Sequence, residues 1–277
     1  MASLVWGCCR LIGAMPHWLR YYVLQDTIYF IVYKCLRYRV GVVTENLRNS
    51  FPDRPMAEIK RIRRSFYHNL SEIFISTVSQ AAMSDDDCRR RVLSTAHFGC
   101  WEYDSFLALY TGEHYLAAVY HPLENKVIDA VYMRLRRRRN IRLIPMKEII
   151  RYYIDHRLPA GAPGQRIGIG LIADQNPPLR PNSHWFRFLN QDTVFFDGIE
   201  KMALKFHMPV YFCRQRRLRR GYYELEFLRL YDGVEQVAPN EVTERYVRQL
   251  ESDIVADPGM WLWSHRRWKH RRPQCPS

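Results

Sequence analysis

The segment Val92-Leu93-Ser94-Thr95-Ala96-His97-Phe98-Gly99-Cys100-Trp101-Glu102 decides the fold: a short apolar run ends in a histidine, turns at a glycine and passes into a helix-like stretch reaching Leu109. Val92 to Ala96 reads as a strand, which places His97 at its carboxyl end. Working outward, Tyr115 to Tyr120, Arg142 to Pro145, Ile167 to Ala173 and Pro209 to Cys213 are further strand candidates. Helical patterns separate them, around Phe106, Ile128 to Arg138, Glu148 to Tyr153 and Ile199 to Phe206. Strand and helix in alternation predict an α/β fold with a mainly parallel sheet flanked by helices. In such sheets the sites lie outside the carboxyl ends of the strands. Leu158 to Gln165, with two prolines and two glycines, is the clearest loop.

Upstream the rhythm differs. Asp53, Pro55 and Glu58 mark a helix start, and Ile59, Ile62, Phe66, Leu70, Ile73, Phe74 and Thr77 then recur at three- and four-residue steps. Lys60, Arg61, Arg63 and Arg64 fall on the other face. Asp85, Asp86 and Asp87 precede the change of pattern, so the chain is expected to divide into a helical region, 1–85, and a second domain, 86–277.

Charge sets the range of partners. Forty-two Lys and Arg against 28 Asp and Glu leave a formal net charge of +14 over 277 residues, and aromatic residues make up 14%. Such a surface seeks phosphates, anionic headgroups or an acidic protein. Hydrophobic and charged fractions of 47% and 25% exclude a disordered or collagenous chain. The seven cysteines are scattered and form no Cys-x-x-Cys pair, which predicts free thiols in a reducing compartment. Arg10 interrupts the first apolar run and no cleavage-like site follows, so no secretion signal is expected. Trp18 to Leu36 is the best candidate for a spanning helix, but Arg20, Gln25, Asp26 and Lys34 break it. Its tyrosines and Phe30, followed by Lys34, Arg37 and Arg39, suit a helix lying in a bilayer interface or the buried face of a soluble domain.

Five residues along a continuous helix would leave His97 and Glu102 roughly 140° apart. Gly99 allows the turn that brings them together, with Glu102 in the first helical turn, where a carboxylate is favoured. Glu102 would then accept the N–H of one imidazole nitrogen and leave the other as a base. A histidine and a carboxylate at this spacing are, taken alone, more often structural than catalytic.

The flanking residues change the weight. His97-Phe-Gly-Cys-Trp-Glu102 resembles the His-(four residues)-acidic signature of the glycerolipid acyltransferase superfamily, and more narrowly the bacterial lipid A biosynthesis (late, secondary) acyltransferases. Tyr38-Arg39, Asn46-Leu47, Phe51-Pro52 and Glu72 resemble that family upstream. Downstream, Tyr120, Pro122 and Asn125 with Met133-Arg134-Leu135-Arg136, then Ala173-Asp174-Gln175, then Trp263 with His265-Arg266-Arg267-Trp268-Lys269 and Pro273, resemble its later blocks in the right order. Cys100 stands where the family often has Asn, and Asn176 where a second Asp is common.

The resemblance implies a glycerolipid-acyltransferase-like sheet with a membrane-associated helical segment before it, at the cytoplasmic face of a bacterial inner membrane. It implies that His97 is the general base toward an acceptor hydroxyl and that Glu102 orients it. Arg134 and Asp174 are the implied substrate-binding residues, Arg134 holding phosphate or stabilising the oxyanion. The donor is expected to be an acyl carrier protein thioester, with coenzyme A as the alternative, and the acceptor a lipid A precursor. Related enzymes acylate aminolipids, phospholipids or other glycolipids. A thioester is already activated, so no cofactor, metal or acyl-enzyme is expected. No G-x-S-x-G elbow occurs, and His184, His207, His265 and His270 lack zinc-ligand spacing. Three arginine runs, 136–139, 214–220 and 266–272, supply much of the charge, either as solvated faces or as contacts to phosphorylated lipid or carrier protein. A nucleic-acid-binding protein is the rival from another class, but no RNP-like segment, zinc finger or basic helix with heptads supports it.

Overall fold

The computed structural model describes residues 1–85, 106–107, 109–110, 114–120, 122–136, 141–157, 164 and 167–272. The expected strand Val92 to Ala96, the whole His97 to Glu102 signature, Arg137 to Arg139 and all of the Leu158 to Gln165 loop except Gly164 lie outside the described residues.

The parallel sheet forms where alternating apolar runs predict it. Strand β1 (Tyr115–Tyr120) lies between β2 (Ile141–Pro145) and β3 (Ile167–Gly170), in the order β2-β1-β3, and both pairings are parallel. The third strand is shorter than expected, because its pairing with β1 ends at Ala118 opposite Gly170. Mixed helix and strand is thus the observed class. Four more described strands stand apart from this sheet in two pairs: β4 (Trp185–Phe188) with β5 (Gln191–Val194), and β6 (Val210–Arg219) with β7 (Tyr222–Tyr231). The first pair is antiparallel. The second is joined by the two residues Arg220 and Gly221, a connection only antiparallel strands permit.

Backbone contacts divide the chain into two compact units that interleave in sequence. One comprises residues 1–25, 72–172 and 215–226. Its first helix, α1 (Ala2–Ala14), buries Cys9 against Val131 and Leu135, with Val5, Trp6, Val78 and Ala81 packed around them. Gly13 permits this approach, since a Cβ there would lie 2.7 Å from the Ser79 carbonyl oxygen and 2.8 Å from the Ala82 Cβ. Within the same unit the Glu72 carboxylate is fully buried. It accepts hydrogen bonds from Arg217 Nη1 at 3.0 Å, the Gly221 backbone N–H at 2.8 Å and the Tyr223 hydroxyl at 2.7 Å. Gly221 itself adopts φ +73°, and its missing side chain leaves room for the Tyr21 ring. The Tyr21 hydroxyl meets Ser76 Oγ at 3.1 Å, and its ring stacks on His17.

The other unit comprises residues 26–71, 173–214 and 227–277. The chain enters this unit within α2, the short Gln25–Tyr29 segment, which follows a π-helical run, Leu19–Leu24, of the first unit and precedes a second one, Phe30–Cys35. The stretch proposed as a broken span is therefore irregular, and among the described residues no helix is long and apolar enough to cross a membrane. Helix α3 (Val40–Ser50) buries Val43 and Leu47, and α4 (Met56–Ser79) buries Ile59, Ile62 and Phe66 as its periodicity predicts. Phe74, assigned to the same stripe, is instead 52% exposed. Beyond Tyr67 the buried positions include small hydroxyl residues whose side chains bond back to their own helix, Ser71 to Tyr67 and Thr77 to Ile73. Apolar spacing alone therefore misplaces the face there.

The remaining α-helices among the described residues are α5 (Lys126–Arg136), α6 (Ile149–His156), α7 (Gly198–Phe206) and α8 (Glu241–Ala256). Glu200 on α7 is buried and caps α8, accepting from the backbone N–H groups of Asn240 and Thr243 and from the Thr243 hydroxyl at 2.6–2.9 Å. A carboxylate at a helix N-terminus satisfies donors that the helix cannot, and it meets the positive end of the dipole.

Candidate active site

Of the four residues singled out in the sequence, two are described. Arg134 lies in the last turn of α5, where a cation is favoured. The helix starts on Asn125, whose Oδ1 accepts the N–H groups of Val127 and Ile128 at 3.0 and 3.1 Å, so this family-like asparagine is a cap. Arg134 is exposed, and its guanidinium carbon sits 4.1 Å from the Trp6 ring centroid on α1. Stacking on an indole holds the guanidinium plane while leaving its edge N–H groups available to an anion. Arg134 and Asp174 fall in different units.

Asp174 lies four residues beyond the end of β3 and is 8% exposed. Its Oδ2 accepts the Trp261 indole N–H at 3.1 Å. Trp261 opens a C-terminal strap that crosses its unit as a series of fixed points. Asn69 Nδ2 donates to the Met260 carbonyl, Arg39 Nη1 to the Ser264 carbonyl, and Asn46 Nδ2 to the carbonyls of Trp263 and His265 at 2.9 and 3.0 Å. Trp263 is fully buried and packs edge-on against Trp261. The Trp268 indole N–H reaches Thr193 Oγ1 at 2.8 Å.

Arg267 is the buried cation of this strap. Its guanidinium donates to Asn176 Oδ1 at 3.1 Å and to the Val194 carbonyl at 2.7 Å, over the Phe195 ring. Burial pulls its pKa down to about 10, against Asp174 and Tyr246, so it stays charged at neutral pH. Burial also lowers His265; Asp174 opposes that shift, while Arg267 and Arg39 add to it. Tyr246, on α8, keeps partial exposure as a residue, yet burial of its hydroxyl pushes its pKa well above the ordinary phenol range, and Asp174 pushes it further. At neutral pH this is a neutral imidazole and a neutral phenol beside a charged guanidinium. Asp174 Oδ1, His265 Nδ1 and Arg267 Nε are buried without a hydrogen-bond partner among the described residues. Buried polar atoms are ordinarily paired, so the cluster has capacity for a further polar group.

The structure thus joins Asp174 to the tail block that the sequence quoted separately. Trp261 and Tyr246 escaped the sequence reading. Trp261 stands two residues before the quoted Trp263, but Tyr246 carries no local signal, being one tyrosine of 18. His97, Glu102 and Cys100 lie outside the described residues. Among the described residues no group of three or more His, Cys, Asp or Glu gathers to hold a metal. Compared with protein families, residues 86–270 match the model described as bacterial lipid A biosynthesis acyltransferase, a span that takes in His97, Glu102, Arg134 and Asp174. A search among curated proteins finds no match.

Proposed function

Because the chain belongs to the bacterial lipid A biosynthesis acyltransferase family, we propose that it moves a fatty acyl chain from an acyl carrier protein thioester to a hydroxyl of a lipid A precursor. The observation that carries this reading is the family match over residues 86–270, which encloses the His97-(four residues)-Glu102 spacing. His97 takes the proton of the acceptor hydroxyl while Glu102 fixes its tautomer. The hydroxyl oxygen attacks the thioester carbonyl carbon. The tetrahedral oxyanion collapses, the carbon–sulfur bond breaks, and the thiolate leaves with the proton returned by the imidazolium. Arg134 and Asp174 belong to substrate binding, Arg134 as the exposed anion contact. The reaction needs no cofactor beyond its donor.

Residues 1–85 form the membrane-associating region and 86–277 the catalytic domain in this reading, with the protein at the cytoplasmic face of the inner membrane. Exposed apolar side chains support that placement. Leu4 and Leu11 are 74% and 69% exposed on one face of α1, followed by Trp18 and Tyr22. Leucines beside interfacial aromatics and an exposed Arg10 are the composition of a helix lying in a headgroup layer.

The test is a transfer assay on detergent-solubilised protein, wild type beside His97→Ala, offered acyl carrier protein thioesters and a Gram-negative lipid extract, with products read by mass. The expected result is a gain of one acyl chain on a lipid A precursor, falling about 10²–10⁴-fold in the variant. Near-normal turnover in a folded variant overturns the mechanism. A His97-dependent gain on another lipid moves the acceptor, and use of acyl coenzyme A alone moves the donor.

A further inference from the structure

The three arginine runs are not equivalent. The middle one is engaged by the chain's own side chains: Arg214 pairs with Asp253 at 3.1 Å, Arg216 with Glu224 at the surface and Arg217 with the buried Glu72. Arg219 stacks on Tyr222, and Arg220 donates to the Tyr21 carbonyl at 2.6 Å. The tail run behaves differently. Arg266, Lys269, Arg271 and Arg272 are exposed, and none forms an ion pair among the described residues. They are nevertheless not a random solvated fringe, because the strap carrying the first of them is pinned by Asn46, Arg267 and Trp268.

These four cations contribute to the lining of a cleft of about 840 Å³, within the range of small-molecule sites. The rest of the lining is not what a bare anion would select. The exposed face of α3 contributes Glu45 and Asn49, and the start of β5 contributes Gln191 and Asp192. Carboxylates repel a phosphate but accept hydrogen bonds from hydroxyl groups, and side-chain amides both donate and accept. The partly exposed Trp268 adds an aromatic ring, held in orientation by its bond to Thr193. Apolar lining is too sparse for an acyl chain. Cations without an ion pair among the described residues, hydroxyl acceptors and an indole in one lining match a sugar that carries phosphate.

We infer that the cleft between α3, β5 and the C-terminal strap binds the phosphorylated sugar headgroup of the lipid acceptor. This rests on the acyl-transfer reading above for the identity of the acceptor, and on the cleft alone for the chemistry bound. Arg266 and Lys269 hold the phosphate, Glu45, Asp192 and Asn49 meet the sugar hydroxyls, and the acyl chains remain outside.

Two measurements on the full chain test it, each with Arg266→Gln/Lys269→Gln, with Asn49→Leu from the α3 part of the lining, and with the charge-matched control Arg61→Gln/Arg151→Gln. In the first, glucose 1-phosphate, glucose and inorganic phosphate are titrated and followed by calorimetry. The sugar phosphate should bind more tightly than either part, and the cation variant should weaken it about tenfold or more, as for lost charge-assisted bonds. In the second, the KM for a lipid A precursor is compared before and after phosphatase treatment. The preference for the phosphorylated acceptor should fall about tenfold in the cation variant and hold in the control.

Failure to bind the sugar phosphate, or equal binding of inorganic phosphate alone, overturns the headgroup assignment. So does a rise in KM confined to the acyl carrier protein donor, which would make the run a protein contact. Wild-type transfer with both variants unchanged sinks the inference and leaves the acyl-transfer reading standing. Selective sugar-phosphate binding by a protein without transfer activity does the reverse.

Discussion

Glu72→Gln tests how far one buried carboxylate holds its unit together. The side chain accepts three hydrogen bonds at 2.7–3.0 Å, from Tyr223, the Gly221 backbone and Arg217. Glutamine keeps one acceptor for Tyr223 and Gly221 but turns a donor toward the Arg217 guanidinium, which loses its carboxylate. Breaking a buried pair by removing one member costs about 3–5 kcal/mol. The Arg217 side chain is 30% exposed, so water recovers part of the loss and the lower end, about 3 kcal/mol, is expected. At about 2–4 °C per kcal/mol for chains near this size, Tm should drop by about 6–12 °C. Tyr223→Phe removes one bond to the same carboxylate and should cost about 2 kcal/mol. The double variant should lose less than the sum, because both changes act on one acceptor. Circular dichroism during heating, in one detergent and at one protein concentration, reads all three. A Tm for Glu72→Gln within about 1 °C of wild type would refute the assignment of Glu72 as a structural keystone.

The remaining predictions concern pH and the membrane. Burial lowers the His265 pKa in the folded protein below its ordinary 6.5. The unfolded chain therefore binds a proton first, and the stability linked to this histidine is present above pH 6.5 and lost as the pH falls toward the folded value. His265→Asn should flatten that limb of the Tm–pH curve; an unchanged slope would show that His265 does not titrate with folding. On α1, Leu4→Glu and Leu11→Glu should each weaken co-sedimentation with anionic phospholipid vesicles by about tenfold, the equivalent of one leucine withdrawn from an apolar phase. Unchanged co-sedimentation of the double variant would remove α1 from the membrane contact.

Local patterns carried much of the architecture. Strand β1 matches its sequence expectation residue for residue, and β2 and the start of β3 follow closely, because a short apolar run of four to six residues is a property of the strand itself. The β4–β5 hairpin was not legible. Its turn uses Leu189 and Asn190 at φ +48° and +61°, and leucine is no turn signal. Leu189 is held there by burial and by the Glu251 carboxylate, which accepts its N–H from α8 at 2.5 Å. Helix α8 likewise receives its cap from Glu200, about forty residues upstream.

The sequence by itself determined the chemistry class. A histidine and a carboxylate at a strand-to-helix spacing, with ordered blocks around them, pointed to the acyltransferase family that residues 86–270 match. Only the tertiary structure decided which charges are spent on folding and which are left for a ligand. Arg217 finds Glu72 across 145 residues of chain, whereas Arg266 and Lys269 find no carboxylate among the described residues, although the runs look alike in sequence. The physical reason is that charge is a property of a residue, but its pairing depends on what the fold brings within about 4 Å, and no local pattern encodes that distance.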